Sequence, residues 1–161
     1  MLKLEKQFEN YTQANKHALV HFAGTITKEN DVLSNPNVFI GDTGASNHVT
    51  KNERGATNIK EGYGAITGIN SSSIQSSMLV NLECVHWDKN GKEMMPITFT
   101  NVNHIAGGNY NLASLPRTMK SGWKMTGDAK NITMRNNQHV IRFNIVIPTR
   151  HGAVYAGHFK R

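Results

Sequence analysis

Cysteine is nearly absent: Cys84 is the only one in 161 residues, so no disulfide can form within the chain, and a reducing compartment suits it. Long apolar runs are missing too. No stretch approaches the roughly 20 residues of a membrane-spanning helix, and Met1-Leu2-Lys3-Leu4-Glu5 opens no signal-peptide core. Together these absences predict a cytoplasmic chain without membrane contact. Hydrophobic residues make up 38% of the sequence and mean hydropathy is −0.47, both low for a large single-core monomer. A loop-rich β protein, or one that buries more surface by oligomerising, fits better. Acids are scarce as well, with 11 Asp and Glu against 18 Lys and Arg, a formal charge of +7. The excess favours polyanions, but no run of five basic residues occurs, so the expected RNA contact is weak and spread over a basic surface.

What is present reads as one domain with an extension before it. In residues 2–22, Leu4, Phe8, Tyr11, Ala18 and Phe22 fall on one helical face, and Gly24 follows as a stop. Residues 1–36 are therefore read as a partly helical linker or leader, and residues 37–161 as the domain. Met78 to Trp87 alternates with period two, placing Met78, Val80, Leu82, Cys84 and His86 on one side. Asp88-Lys89-Asn90-Gly91 is a turn, and Met94 to Thr100 returns as the partner strand. Cys84-x-His86 has no matching ligand pair, with His104 the nearest further candidate, so these are read as packing residues and no metal is expected. Asn111 to Gly122 reads as a short helix with Ser114 as N-cap, Pro116 in the first turn and Gly122 as the stop. Beyond it, Trp123 to Thr126, Asn131 to Arg135, Gln138 to Ile147 and Ala153 to Phe159 read as strands. The fold class is mostly β.

Chemistry concentrates in Val38-Phe39-Ile40-Gly41-Asp42-Thr43-Gly44-Ala45-Ser46-Asn47-His48-Val49-Thr50. An apolar strand runs into an Asp, then a small hydroxyl residue, then a Gly, which suits a carboxylate presented at a strand-to-loop turn. Downstream, Gly62, Gly64 and Gly68 surround Tyr63, Ala65 and Ile66. Their spacing misses the dinucleotide fingerprint by one residue, so the segment reads as a hairpin or flexible loop rather than a phosphate cradle. A His six residues past the Asp reads as a structural hydrogen-bonder.

The string Asp42-Thr43-Gly44-Ala45-Ser46-x-His48-x-Thr50 resembles the active-site segment of the Ty1/copia retrotransposon proteases, a branch of the retroviral-type aspartic proteases whose usual form is D-S-G-A-S-x-H-M-T. Val102-x-x-Ile105-Ala106-Gly107-x-x-Tyr110-Asn111-Leu112-x-Ser114-Leu115 is similar to their N-V-L-Y-V-P-G-L-x-x-N-L-L-S-V segment, which in that family threads behind the catalytic loop and leads into a helix. Gly122-Trp123-Lys124-Met125 and Gly152-Ala153-Val154-Tyr155 resemble later elements. Gly41 stands where the family has Leu, and is expected to loosen the turn.

The resemblance implies a retropepsin-like fold, a closed, β-barrel-like subunit with one short helix, active as a symmetric homodimer. It implies an aspartic endopeptidase acting on a polyprotein peptide inside retrotransposon particles, without cofactor. The chain carries one Asp-Thr-Gly, so each subunit would contribute Asp42. Thr43 would bond across the dimer axis, and the Gly44 carbonyl would receive a substrate N–H. Ala45, Ser46 and Asn47 would line the cleft, and a flap holding Gly62, Tyr63, Gly64, Ala65 and Ile66 would close over the peptide. The alternative is an inactive, domesticated protease-like domain used in dimerisation or nucleic-acid binding.

Overall fold

The computed structural model describes residues 32–61, 65–66, 74–75, 78–88, 90–106, 108, 110–137 and 139–161. The expected helix over 2–22 lies outside them, as do Gly62, Tyr63 and Gly64. Residues 32–34 make a helical turn that leads into β1 (Val38–Asp42). There follow β2 (Val49–Thr50), β3 (Ala56–Glu61), β4 (Ala65–Ile66), β5 (Ile74–Gln75), β6 (Met78–Trp87), β7 (Glu93–His104) and β8 (Asn111–Ser114). Then come α1 (Leu115–Lys120), β9 (Lys124–Gly127), β10 (Ile132–Asn136), β11 (His139–Phe143), β12 (Ile145–Thr149) and β13 (Gly152–Lys160). The described chain is mostly β, as its composition predicts.

The β6–β7 hairpin forms as read, and alternation decides its faces: Val80, Leu82, Cys84 and His86 are buried, whereas Glu83 between them is exposed. The Asp88 carboxylate accepts the Asn90 and Lys92 N–H groups and shapes the turn. The helix is shorter than expected. Asn111 to Ser114 is a strand, and the helix begins only after Ser114, whose hydroxyl accepts the Arg117 N–H. Pro116 sits in the first turn, and Gly122, at φ +95°, lets the chain reverse. The strand expected over Gln138 to Ile147 breaks at Asn144 into β11 and β12.

Eight strands form one sheet in the order β12–β13–β1–β8–β2–β7–β6–β3, and β13 also pairs with β6. That extra pairing links β13, β1, β8, β2, β7 and β6 into a ring of neighbours. β9, β10 and β11 form a separate three-stranded sheet, and β4 and β5 a separate antiparallel pair. Within the Val102 to Leu115 segment it is β8 that lies beside the Asp42 strand, running parallel with Gly41 opposite Ala113 and Asp42 opposite Ser114.

Both faces of β1 are buried. Phe39 joins Phe99, Phe143 and Phe159 in one core, while Val38 and Ile40 join Val49, Leu112 and Ile147 in the other. Gly41 belongs to the aromatic side. A Cβ there would stand 2.9 Å from Phe143 Cγ, and one on Gly157 would stand 3.1 Å from Phe143 Cδ1. The missing side chain before Asp42 therefore makes room for a buried ring, which tightens this stretch instead of loosening it. Gly41→Ala should cost about 1–3 kcal/mol by overpacking. In urea unfolding, Gly41→Ala/Phe143→Leu should lose less than the sum of the two single changes.

Candidate active site

Asp42 ends β1 at the point where the chain turns away from the sheet. Its Oδ1 accepts the Gly44 N–H at 2.7 Å, closing a short turn in which the carboxylate caps its own loop. A Cβ on Gly44 would stand 3.3 Å from the same oxygen, so the absence of a side chain keeps this approach open. Burial pushes the Asp42 carboxyl above its ordinary value, against the opposing pull of the Gly44 and Ala45 N–H groups. Thr43, Gly44 and Ser46 are exposed beside it, and Ala45 and Asn47 are half-buried. The carboxylate thus reaches solvent from a site that already disfavours its charge.

The loop from Asp42 to Thr50 is tied to the rest of the fold through Ala45, Asn47, His48 and Thr50. Ser114 Oγ donates to the Ala45 carbonyl at 2.6 Å, and the Ser114 N–H donates to His48 Nδ1 at 2.9 Å. That bond assigns the other ring nitrogen of His48, Nε2, as the protonated one in the neutral imidazole. The His48 carbonyl accepts the Asn103 N–H, and the Thr50 carbonyl accepts that of Ile105. Asn47 Nδ2 donates to the Asn101 carbonyl at 3.2 Å, and Arg117 donates both to Asn47 Oδ1 and to the same carbonyl. Both ends of the Asn47 amide are therefore bonded within the chain, so its side chain braces the loop.

Asn111 is the second anchor. Fully buried, it donates from Nδ2 to the Pro36 and Val38 carbonyls and accepts from the Lys51 N–H, with Thr50 Oγ1 3.1 Å from its Oδ1. One amide side chain thus links the entry to β1 with the exit from the loop. The sequence reading treated Ser114 only as a helix cap and gave Asn111 and Arg117 no role in the site. Their place in the segment resembling the copia pattern was the available signal. Ala65 and Ile66, expected in a flap, lie on β4, which pairs antiparallel with β5.

His86 is also a structural residue. Its Nδ1 lies 3.0 Å from the His158 carbonyl, and its Nε2 accepts the Arg142 N–H at 3.0 Å. Both ring nitrogens are occupied by backbone, and the ring stacks on Phe159. Comparison with protein-family models, curated proteins and solved structures finds no match to this chain.

Burial, with the Arg117 guanidinium adding to it, pulls His48 down to about 4 from 6.5. Between those values the unfolded chain binds the proton that the folded one refuses. The contribution is complete above pH 6.5 and is lost as pH falls towards 4, by roughly 3 kcal/mol in full. His86 and His158, lowered mainly by burial, act in the same direction. Unfolding free energy should therefore drop between pH 6.5 and 4. His48→Asn, whose side-chain oxygen can accept the Ser114 N–H without titrating, should show a shallower slope in denaturant titrations across that range.

Proposed function

We propose that this chain is the aspartic endopeptidase of a copia-type retrotransposon polyprotein, working as a symmetric homodimer in which each copy contributes Asp42. The observation that carries the reading is the Asp42 carboxyl itself, at the end of a doubly buried strand, reaching solvent, and raised above its ordinary value by burial. The motif resemblance, the parallel β1–β8 pairing and the helix directly after β8 support the same reading.

A single carboxylate cannot perform this chemistry, because one group must accept a proton while another donates. Among the described residues, Asp88 and Asp128 fold their carboxylates into their own turns, and in this reading the partner carboxylate comes from a second copy. Two facing carboxylates repel when both are ionised, so the pair holds one proton and titrates as a unit. Water lies between them. The ionised member takes a proton from it as it attacks the peptide carbonyl, and the protonated member hydrogen-bonds to the developing oxyanion. Collapse of the tetrahedral intermediate passes a proton to the leaving amine and restores the shared-proton pair. Thr43 would hold the two loops together across the axis, and the exposed backbone from Gly44 to Ser46 would receive an extended peptide, with the segment around β4 closing over it. The fold in this reading is retropepsin-like.

Because burial raises Asp42, its neutral form is favoured in the folded chain, and stability falls as pH rises through the raised value. Asp42→Asn removes the buried charge and keeps an acceptor for the Gly44 N–H. It should therefore be at least as stable as wild type at pH 7 while losing cleavage by about 10³-fold or more. The measurement is proteolysis of a polyprotein fragment at mildly acidic pH, with and without pepstatin. Equal hydrolysis by both proteins would overturn the assignment, and a folded dimer with no pepstatin-sensitive hydrolysis would favour the domesticated alternative.

A further inference from the structure

The positive excess of this chain lies in one part of it. Residues 94–161 hold nine Lys and Arg and a single acid, Asp128, whereas residues 1–93 hold nine Lys and Arg against ten acids. Asp128 is turned inward on its own loop, accepting the Lys130 and Asn131 N–H groups at 2.7 and 3.0 Å. The basic part includes all of the three-stranded β9–β11 sheet.

Register shows which face of that sheet carries the cations. Met134 lies opposite both Met125 and Ile141, and Met134, Ile141 and Phe143 pack into the aromatic core. Strand alternation puts Lys124, Arg135 and Arg142 on the other face. Lys124 and Arg135 are directly opposite each other, both exposed, and Arg142 stands on the next strand opposite Thr133. Like charges opposed across a ladder weaken a sheet, so folding gains nothing from this arrangement.

At Arg142, along the edge strand β11, lies a cleft of about 280 Å³ lined by Met94, Met95, His139, Val140 and Arg142. Two thioether side chains and a Val make flat, polarizable walls, with one guanidinium and one imidazole among them. A row of cations leading into such a cleft suits a ligand with phosphates along a backbone and a planar apolar ring beside each one. A paired base keeps its ring inside the stack and out of reach of the cleft. An acidic peptide would use the cations and leave the cleft empty.

We infer that the outer face of the β9–β11 sheet binds single-stranded RNA, with phosphates on Lys124, Arg135 and Arg142 and an unpaired base in the Met94–Met95–Val140 cleft. The surface is on a different sheet from Asp42, so binding does not depend on the protease reading. Asp42→Asn should bind RNA as wild type does.

The test is fluorescence anisotropy of the full chain with labelled single-stranded RNA of about 20 nucleotides, between about 50 and 200 mM KCl. Lys124→Gln/Arg135→Gln should weaken binding at least tenfold at the lower salt and reduce the slope of log K against log salt by about 1.4, two phosphate contacts at roughly 0.7 each. Met95→Ala should weaken binding with the slope unchanged. Lys60→Gln/Lys92→Gln, exposed cations on β3 and in the β6–β7 turn, should bind as wild type. Circular dichroism checks that each variant is folded. Equal losses in the two double variants would overturn the proposal, since binding would then follow total charge. Equal affinity for duplex RNA would also overturn it, as would capture by vesicles containing phosphatidylserine with no binding of single-stranded RNA.

Discussion

The parallel pairing of β1 with β8 is the constraint on which the rest of this structure depends. Parallel neighbours cannot be joined by a tight turn, and here the chain travels through β2 to β7 before β8 returns beside β1. The result is that Asp42 stands opposite Ser114, the last residue of β8 and the cap of α1. Ser114 then makes three contacts that matter to the loop: its hydroxyl holds the Ala45 carbonyl and accepts the Arg117 N–H, and its own N–H holds His48. The strand end, the loop and the helix start share one residue. A loop of this length would otherwise sample many conformations. Each buried backbone group that finds a fixed partner removes part of that freedom.

Packing around β1 follows from the same placement. With β8 on one side and β13 on the other, β1 is an interior strand with side chains buried on both faces. An interior strand in a small domain must fit two cores at once, and Gly41 is where that demand is met. The Phe143 ring occupies the space above Gly41 and Gly157 and touches Phe159, which in turn meets Phe39 and Phe99. The aromatic cluster thus fixes the backbone directly before Asp42. Preorganisation of a carboxylate of this kind comes from packing behind it as much as from hydrogen bonds around it.

Two titratable groups of the loop are pushed in opposite directions by one cause. Burial raises Asp42 and lowers His48, and in each case it favours the neutral form. The loop is held by bonds from backbone N–H groups to Asp42 Oδ1 and His48 Nδ1. The first survives protonation of the carboxyl, because one oxygen still accepts. The second does not survive protonation of the ring, because Nδ1 then carries a hydrogen. Acidification that would suit the proposed shared-proton carboxylate pair therefore approaches the point at which the loop's own clamp is released.

Much of this was legible in the residues alone. The β6–β7 hairpin follows from period-two burial and the Asp88 to Gly91 turn, the helix start from the Ser114 hydroxyl, its end from Gly122, and the strand into Asp42 from Val38-Phe39-Ile40. Each of these is a property of neighbours in the chain, so local sequence determines it. The remainder was not local. Asn111 to Ser114 became a strand because β1 and β2 offered it ladder partners that a short helix could not match. Gly41 acquired its meaning from Phe143, and Asn111 from carbonyls at Pro36 and Val38. The sheet face that gathers Lys124, Arg135 and Arg142 arises only when three strands align, since in the sequence these cations are scattered. Local chemistry named the carboxylate and the turns around it. Tertiary structure chose its neighbours, because contacts between residues far apart in the chain exist only after the strands have paired.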